Sequence, residues 1–241
     1  MRFQTTLVRG RLLQRYKRFL ADIELEDGSR VTAHCANPGS MKTVAEPDST
    51  VWISAAGNPK RKLSWDWQLI EINGNLVSIN TALPNRIGEE AIGDDQIAEL
   101  LGYESIRREV KYGENSRIDL LLSATDKPDC YVEIKNVNMM RTQGHAEFPD
   151  SVTTRGAKHL REMSAMVEQG CRAVMLYIVQ RNDCNSFSVA KDIDPAYQSA
   201  LEEALAAGVE AICYTCSIST TEIKVDRSIP IELDTRRQNL L

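Results

Sequence analysis

The chain contains the stretch Ser116-Arg117-Ile118-Asp119-Leu120-Leu121-Leu122 and, after a turn, Tyr131-Val132-Glu133-Ile134-Lys135-Asn136-Val137. Apolar residues occupy both parities of the first stretch, which predicts a strand buried on both faces and interrupted by Asp119. In the second stretch, Glu133 and Lys135 are two residues apart and therefore share one face of a strand. The turn-rich residues between the two stretches predict an antiparallel hairpin.

This hairpin brings two carboxylates together. Paired residue numbers in an antiparallel hairpin have a constant sum, so a turn centred near Asp126 pairs Asp119 with Glu133, with Cβ atoms about 4.5–5.5 Å apart. Two carboxylates at that distance repel unless a cation lies between them. Mg²⁺ suits such a site because it prefers oxygen ligands and keeps several waters. Lys135 is placed to orient a water or to counter phosphate charge. The alternative is a cross-strand salt-bridge cluster that holds no metal.

Composition limits the classes of protein to which the chain can belong. Its 241 residues are 42% hydrophobic and 26% charged, which is typical of a folded globular protein. A membrane helix needs about 20 apolar residues, and the chain has no run of that length. Its first residues are not of the signal-peptide type. We therefore expect no membrane span and a cytoplasmic location.

Two domains are predicted from the order of elements. Residues 1–80 contain short strands separated by turns such as Asp27-Gly28 and Asn73-Gly74, which indicates a five-stranded, OB-like barrel. Residues 81–241 follow the order α-β-β-β-α-β-α-β, which predicts a mixed sheet covered by helices. Helices are expected over 89–101 and 153–169, with a third capped by Asp194.

Positive charge is concentrated at the beginning of the chain. The net charge is −5, yet residues 1–80 carry 11 Lys and Arg against 8 Asp and Glu. A basic segment on an acidic protein indicates an anion-binding surface, although a solvated basic segment is an equal alternative. The candidate phosphate contacts of the barrel are Arg15, Lys17, Arg18, Lys60, Arg61 and Lys62. Tyr16, Trp65 and Trp67 are available to stack on bases or to fill the core.

The helix predicted over 153–169 carries a polar face. Arg155, Lys158, His159 and Glu162 recur at spacings of three and four residues. Arg155 and Lys158 are candidate phosphate contacts if this helix packs beside the hairpin; otherwise the face is simply solvated. His159 is either a general base or a hydrogen-bonded structural residue.

The D…E-x-K hairpin between two helices resembles the PD-(D/E)XK nuclease superfamily. More closely, several strings are similar to the bacterial sugar fermentation stimulation protein A (SfsA) family. They include Gln14-Arg15-Tyr16-Lys17-Arg18-Phe19-Leu20-Ala21-Asp22, Ala33-His34-Cys35-Ala36-Asn37-Pro38-Gly39-Ser40-Met41 and Phe148-Pro149-Asp150-Ser151-Val152-Thr153-Thr154-Arg155-Gly156-Ala157-Lys158-His159-Leu160.

This resemblance implies a mixed α/β fold, with an N-terminal OB-like barrel followed by a PD-(D/E)XK nuclease-like domain. It also implies DNA binding and a regulatory role in sugar (maltose) metabolism. Asp119, Glu133 and Lys135 occupy the catalytic positions of the superfamily, which often adds a glutamate from the preceding helix as a metal ligand. Glu90 or Glu89 would serve here.

The function expected from the sequence and the resemblance is that of a DNA-binding protein, which binds DNA largely non-specifically and carries a Mg²⁺-dependent site of the phosphodiesterase type. Two alternatives remain open. One is a non-catalytic DNA-binding regulator that keeps the nuclease fold as a scaffold, and the other is an RNA-binding or RNA-processing protein.

Overall fold

The computed structural model describes residues 1–58, 60–113 and 116–233. Its first part is a barrel. The strands are β1 (Val8–Tyr16), β2 (Leu20–Leu25), β3 (Arg30–Cys35), β4 (Thr50–Ala55), β5 (Trp65–Ile72) and β6 (Asn75–Ser78). They lie in the order β3-β2-β1-β4-β5-β6, and a parallel pairing of β3 with β5 closes the first five strands into a ring. Apolar residues such as Leu12, Ile53 and Trp67 fill the interior.

Strand β1 is not predicted from the sequence, where it reads as a basic segment before the first strand. Arg11, on its outward face, contacts Glu24 of β2 and Asp48, which precedes β4. A strand of alternating apolar and charged residues is half buried, so the charges belong to its outer face. Arg15 therefore lies within a strand and not before one.

The second part begins with a helix and contains a six-stranded mixed sheet. The elements are α1 (Pro84–Gly93), β7 (Ser105–Tyr112), β8 (Ser116–Ala124), β9 (Lys127–Val137), β10 (Met139–Thr142), β11 (His145–Phe148), α2 (Thr154–Glu168), β12 (Arg172–Val179), β13 (Ser186–Val189), α3 (Pro195–Ala206), β14 (Glu210–Ile218) and β15 (Ile223–Ser228). The sheet order is β15-β14-β12-β9-β8-β7, with β12 parallel to both β9 and β14. Helix α1 packs on one face, whereas α2 and α3 pack on the other.

The predicted helix over 89–101 is wrong in its bounds. The helix starts earlier because Pro84 occupies its first turn, and it ends at Gly93; a short 3-10 turn, Ala98–Leu100, follows. The other two helices begin as predicted, with Thr153 and Asp194 accepting capping hydrogen bonds. None of the helices in the described part of the chain is long and apolar enough to cross a membrane.

The predicted mixed α/β class, with a barrel followed by a mixed sheet, is confirmed. The predicted boundary at residue 80 falls between β6 and α1, and residues 234–241 of the predicted second domain lie outside the described residues. A small third sheet of order β10-β11-β13 is not predicted, because its strands have only four residues each.

The loop at residues 37–40 of the barrel packs against Asp150 of the second part. Ser40 Oγ donates to the Asp150 carbonyl at 2.7 Å, and Met41 N donates to its carboxylate at 3.1 Å. Arg15 Nη2 donates to the carbonyls of Asn37 and Gly39, both at 3.0 Å. A Cβ on Gly39 would lie 2.3 Å from Asp150 Oδ2, so only glycine permits this approach.

Replacing Gly39 by Ala should therefore lower the free energy of unfolding by about 1–3 kcal/mol, because the added methyl group forces the loop and Asp150 apart. Urea denaturation measures the loss. Gly57→Ala is the matched control, since a Cβ there meets nothing within 4 Å. Equal stability of the Gly39 and Gly57 variants would contradict a tight junction.

Candidate metal centre and basic cleft

The hairpin register agrees with the one derived from the sequence. Leu120 pairs with Val132 and Leu122 with Cys130, so continuing the register places Asp119 opposite Glu133. Regular pairing stops at Leu120, where the Asp119 carboxylate accepts a hydrogen bond from the Ile134 backbone N–H at 2.7 Å. The side chain thus satisfies a donor that the strand ladder leaves free, at the point where the two strands separate.

Glu133 is the most deeply buried acid of this site, at 3% exposure. One oxygen, Oε1, accepts hydrogen bonds from Lys135 Nζ at 2.6 Å and His159 Nδ1 at 2.5 Å. The other oxygen, Oε2, is buried without any hydrogen-bond partner. A buried carboxylate oxygen without a hydrogen-bond partner is available to a ligand such as a cation.

His159, from α2, has its tautomer assigned by its neighbours. Arg155 Nε donates to His159 Nε2 at 3.2 Å, so that nitrogen carries no proton and Nδ1–H donates to Glu133. Of the two roles predicted for His159, the geometry favours the hydrogen-bonded structural one. Arg155 orients His159, which orients Glu133.

The two carboxylates ionise differently. Burial raises the pKa of Asp119 to about 6, assisted by the charge of Glu133 and opposed by hydrogen bonds from Ile134 and Asn85. Burial also opposes ionisation of Glu133, but Lys135 and His159 outweigh it and hold the pKa of Glu133 below its ordinary value. Glu133 is therefore the permanent anion of the pair, and Asp119 is the acid that gains most from a cation.

The structure corrects the predicted contribution of α1. Glu90 contacts the amino group of Met1 at 2.6 Å and Arg86 at 3.0 Å, and Glu89 pairs with Arg108. Asn85 is the residue that reaches the site, donating to Asp119 Oδ1 at 2.7 Å. Glu90 is five residues further on, about 140° around the helix, and so points elsewhere.

The sequence does not single out Asn85. Its place directly after Pro84, in the first turn of the helix that precedes the hairpin, is the one signal that indicates it. Within residues 1–58, 60–113 and 116–233, no group of three or more His, Cys, Asp or Glu side chains is arranged to hold a metal ion. The protein side chains at the centre are thus two carboxylates, a lysine and an asparagine.

A basic cleft of about 420 Å³ adjoins the carboxylates across His159. Its lining residues are Glu109, Ser116, Arg117, Arg155, Lys158 and His159. The predicted pair Arg155 and Lys158 therefore lies together, and Arg117, which the sequence does not single out as a contact, joins it. Lys158 Nζ lies 3.5 Å from Glu162 of the same helix. Three cations against one acid, Glu109, give this cavity an excess of positive charge that attracts an anion.

The barrel cations divide into two groups. Arg15 and Arg61 are committed to internal contacts, Arg15 to loop carbonyls and Arg61 to both oxygens of Asp66. This corrects their prediction as phosphate contacts, since their guanidinium groups stabilise the barrel. Lys17, Arg18, Lys60 and Lys62 are exposed, and in the described part of the chain their side chains have no ion-pair partner.

Of the two roles left open for the barrel aromatics, stacking on bases or filling the core, the structure favours the core for the tryptophans. Trp67 is fully buried in the barrel core, and Trp65 packs against that core. The Tyr16 hydroxyl donates to Asp22 at 3.2 Å. The two tryptophans share one face of β5 because they are two residues apart, and Trp65 is only partly buried.

Comparison with known proteins places this architecture. The family model described as "SfsA N-terminal OB domain" matches residues 13–79, and "Sugar fermentation stimulation protein RE domain" matches residues 82–222. The chain belongs to the SfsA family. The resemblance drawn from the sequence is thereby confirmed.

Relatives in this family are similar along nearly their whole length. A sugar fermentation stimulation protein homolog of Paramagnetospirillum magneticum is 54% identical, with 98% of this chain and 100% of the relative covered. One of Maricaulis maris is 53% identical, covering 97% and 99%. The solved structure of Pyrococcus furiosus SfsA in complex with Ca²⁺ is 26% identical, has a TM-score of 0.86 and covers 96% of this chain and 98% of that one.

Asp119→Asn should stabilise the metal-free protein at neutral and higher pH. The pKa of Asp119 is raised from 3.8 to about 6 by folding, so ionisation destabilises the folded state. That penalty is absent below about pH 4 and complete above about pH 6, where the variant should exceed wild type by about 1–3 kcal/mol. The Asn85 amide can flip to accept from the new amide.

Urea denaturation in EDTA across this pH range measures the difference, with Asp126→Asn in the exposed hairpin turn as the matched control. If Asp119 were instead a needed partner of Lys135 in a closed salt-bridge cluster, the variant would lose about 3–5 kcal/mol at every pH above 4.

Proposed function

We propose that this SfsA-family protein binds DNA and hydrolyses phosphodiester bonds at the Asp119–Glu133 site with a divalent cation, Mg²⁺. The observation that carries the proposal is the Glu133 carboxylate, which is buried with one oxygen bound by Lys135 and His159 and the other unpartnered. A fold gains nothing from burying such an oxygen unless a ligand satisfies it.

The donor set fits a divalent cation. Glu133 Oε2 is free, and each Asp119 oxygen accepts one hydrogen bond and so retains a lone pair. Mg²⁺ is held in many sites by one or two carboxylates together with water and phosphate oxygens, so a third acid is not required. The Ca²⁺ in the Pyrococcus furiosus SfsA structure supports a divalent cation in this family.

The chain's own residues perform the remaining tasks. A bound divalent cation supplies Lewis-acid stabilisation of the phosphate and lowers the pKa of water. Lys135 Nζ, held 2.6 Å from Glu133, is placed to hydrogen bond the attacking water or a phosphate oxygen. His159 keeps Glu133 oriented, and Asn85 with the Ile134 N–H keeps Asp119 oriented. Preorganised donors of this kind avoid reorganisation during the reaction.

The basic cleft supplies substrate binding. Arg117, Arg155 and Lys158 line a cavity that shares His159 with the carboxylate site. A phosphate held there is separated from Glu133 by the His159 side chain. DNA is the proposed polyanion because its backbone offers successive phosphates to this cleft and to the exposed barrel cations.

The principal alternative is a non-catalytic DNA-binding regulator in which Lys135 and Glu133 form a structural ion pair. The 2.6 Å contact between them is what that alternative expects. A role in regulating sugar (maltose) metabolism belongs to the same proposal and rests on the family's name. RNA binding is the other alternative, and competition among single-stranded RNA, single-stranded DNA and duplex DNA addresses it.

Cleavage of labelled DNA tests the proposal. Wild type should cut in Mg²⁺ and not in EDTA, whereas Asp119→Ala and Glu133→Gln should reduce the rate by at least about 100-fold, as expected when an electrostatic catalytic group is lost. Asp126→Asn, in the same hairpin, should cut like wild type. DNA binding without Mg²⁺-dependent cleavage would establish the non-catalytic alternative, and equal cleavage by Asp119→Ala would assign the activity to a contaminant.

Metal binding should also be visible without activity. Mg²⁺ should raise the Tm of wild type by mass action, by an amount equivalent to about 2.7 kcal/mol at 100 times Kd. Asp119→Asn should respond less because it loses one anionic ligand. Glu90→Gln should respond as wild type does, since Glu90 lies against the Met1 amino group. A smaller Mg²⁺-induced rise in Tm for the Glu90 variant than for wild type would indicate that Glu90 is a metal ligand.

A further inference from the structure

The outer face of the barrel carries an exposed aromatic stack. Lys17 and Arg18 form the turn between β1 and β2, with φ values of 47° and 67°. Phe19 follows and is 43% exposed. Its ring stacks on the His34 ring, with the centroids 6.4 Å apart and the planes 14° apart. Phe19 is the one aromatic among the large exposed hydrophobic residues of the described chain.

Backbone hydrogen bonds hold Phe19 in place, and side-chain contacts with Asp66 hold His34. The Phe19 backbone N–H donates to Lys17 O, and its carbonyl accepts from Cys35 N, both at 2.8 Å. His34 Nδ1 lies 3.4 Å from Asp66, which Arg61 holds by two hydrogen bonds of 2.8 Å. The Phe19 ring is therefore presented on a rigid support, and a flat ligand that stacks on it pays little ordering entropy.

Strand pairing places further partly buried side chains next to Phe19. Leu20 pairs with Tyr16 on β1 and with His34 on β3, so the three side chains cross the outer face of neighbouring strands in a row. Burial of all three is only partial. Phe19 adds its ring at the end of this row, next to the β1–β2 turn.

The charges around the stack define its partner. Lys17 and Arg18 are exposed, and neither side chain has an ion-pair partner in the described residues. An aromatic face beside two uncompensated cations matches a chain of flat bases joined by phosphates. An acidic peptide would satisfy the cations but leave the ring face without a planar partner.

Arg18 connects this face to the second part of the protein. It lines a cavity of about 430 Å³ together with Gly39 of the barrel and Asp150 of the second part. The same cavity is lined by Asn136, the residue after Lys135, and by Thr153, which caps the helix that carries Lys158. This cavity therefore lies between the β1–β2 turn, which carries Arg18, and the residue that follows Lys135.

We propose that Phe19, stacked on His34, is the platform for an unpaired base of single-stranded DNA, with Lys17 and Arg18 contacting the adjacent phosphates. The inference rests on the proposed function for the identity of the ligand and adds its strandedness. Bases within a duplex are stacked on each other and offer no free face, so DNA with a single-stranded segment is the preferred ligand.

The test measures binding in EDTA, where cleavage cannot interfere, by fluorescence anisotropy with an oligothymidylate of about 12 nucleotides. An abasic oligomer of equal length and charge and a blunt duplex are the comparison ligands. Wild type should bind the oligothymidylate about 5- to 100-fold more tightly than the abasic oligomer, which is the range expected for base–aromatic stacking.

Phe19→Ala should remove this difference while leaving the affinity for the abasic oligomer unchanged. Phe19→Trp should preserve it, and the indole fluorescence should be quenched by the oligothymidylate and not by the abasic oligomer. Leu101→Ala is the matched control, because Leu101 is exposed to the same degree, at 44%, and lies far along the chain from the barrel. This control should bind like wild type.

An unchanged ratio of the two affinities in Phe19→Ala would overturn the platform, as would equal affinity of wild type for the blunt duplex and the oligothymidylate. Neither outcome affects Mg²⁺-dependent cleavage, which is measured separately and reports on the proposed function. Conversely, loss of cleavage in Asp119→Ala leaves the Phe19 comparison intact. Absence of any DNA binding would overturn both proposals.

Discussion

The buried Glu133 carboxylate is the constraint on which the rest of the second part depends. A charge in the interior must be paired or it destabilises the fold by several kcal/mol. Here the pairing comes from Lys135 on the same strand and from His159 on α2, both through a single oxygen. This arrangement fixes the position of α2 against β9 and leaves the second oxygen free. The same contact therefore supports the fold and shapes the proposed metal site.

Asp119 plays the complementary part because it interrupts a strand that is otherwise apolar. Pairing of β8 with β9 stops where its carboxylate takes the Ile134 N–H, and α1 closes the gap through Asn85. Three elements therefore meet at two acids whose pKa values are shifted in opposite directions: the pKa of Asp119 is raised and that of Glu133 is lowered. A cation bound between two carboxylates offsets the cost of ionising the one whose pKa is raised, so cation binding should stabilise this pair.

Some cations of the barrel contact protein groups, and others remain exposed to solvent. Arg15 and Arg61 hold loop carbonyls and Asp66, which stiffens the junction with Asp150 and the support beneath His34. Lys17 and Arg18 remain exposed beside Phe19. Arg15 lies within β1 and Arg61 in the loop between β4 and β5, and both contact protein groups, whereas Lys17 and Arg18 in the β1–β2 turn are exposed. One basic segment thus supplies both a structural contact, through Arg15, and the proposed binding surface, through Lys17 and Arg18.

The sequence by itself determined what depends on period and spacing. The constant sum of paired numbers places Asp119 opposite Glu133, the two-residue spacing places Lys135 beside it, and capping chemistry starts α2 and α3. Only the tertiary structure decided which residue of α1 reaches the site and which cations stay free. Asn85 and not Glu90 faces Asp119 because helix rotation against the sheet is set by packing, and local sequence does not specify it. Likewise, Arg15 and Lys17 are two residues apart and equally basic, and only contacts with a distant loop distinguish them.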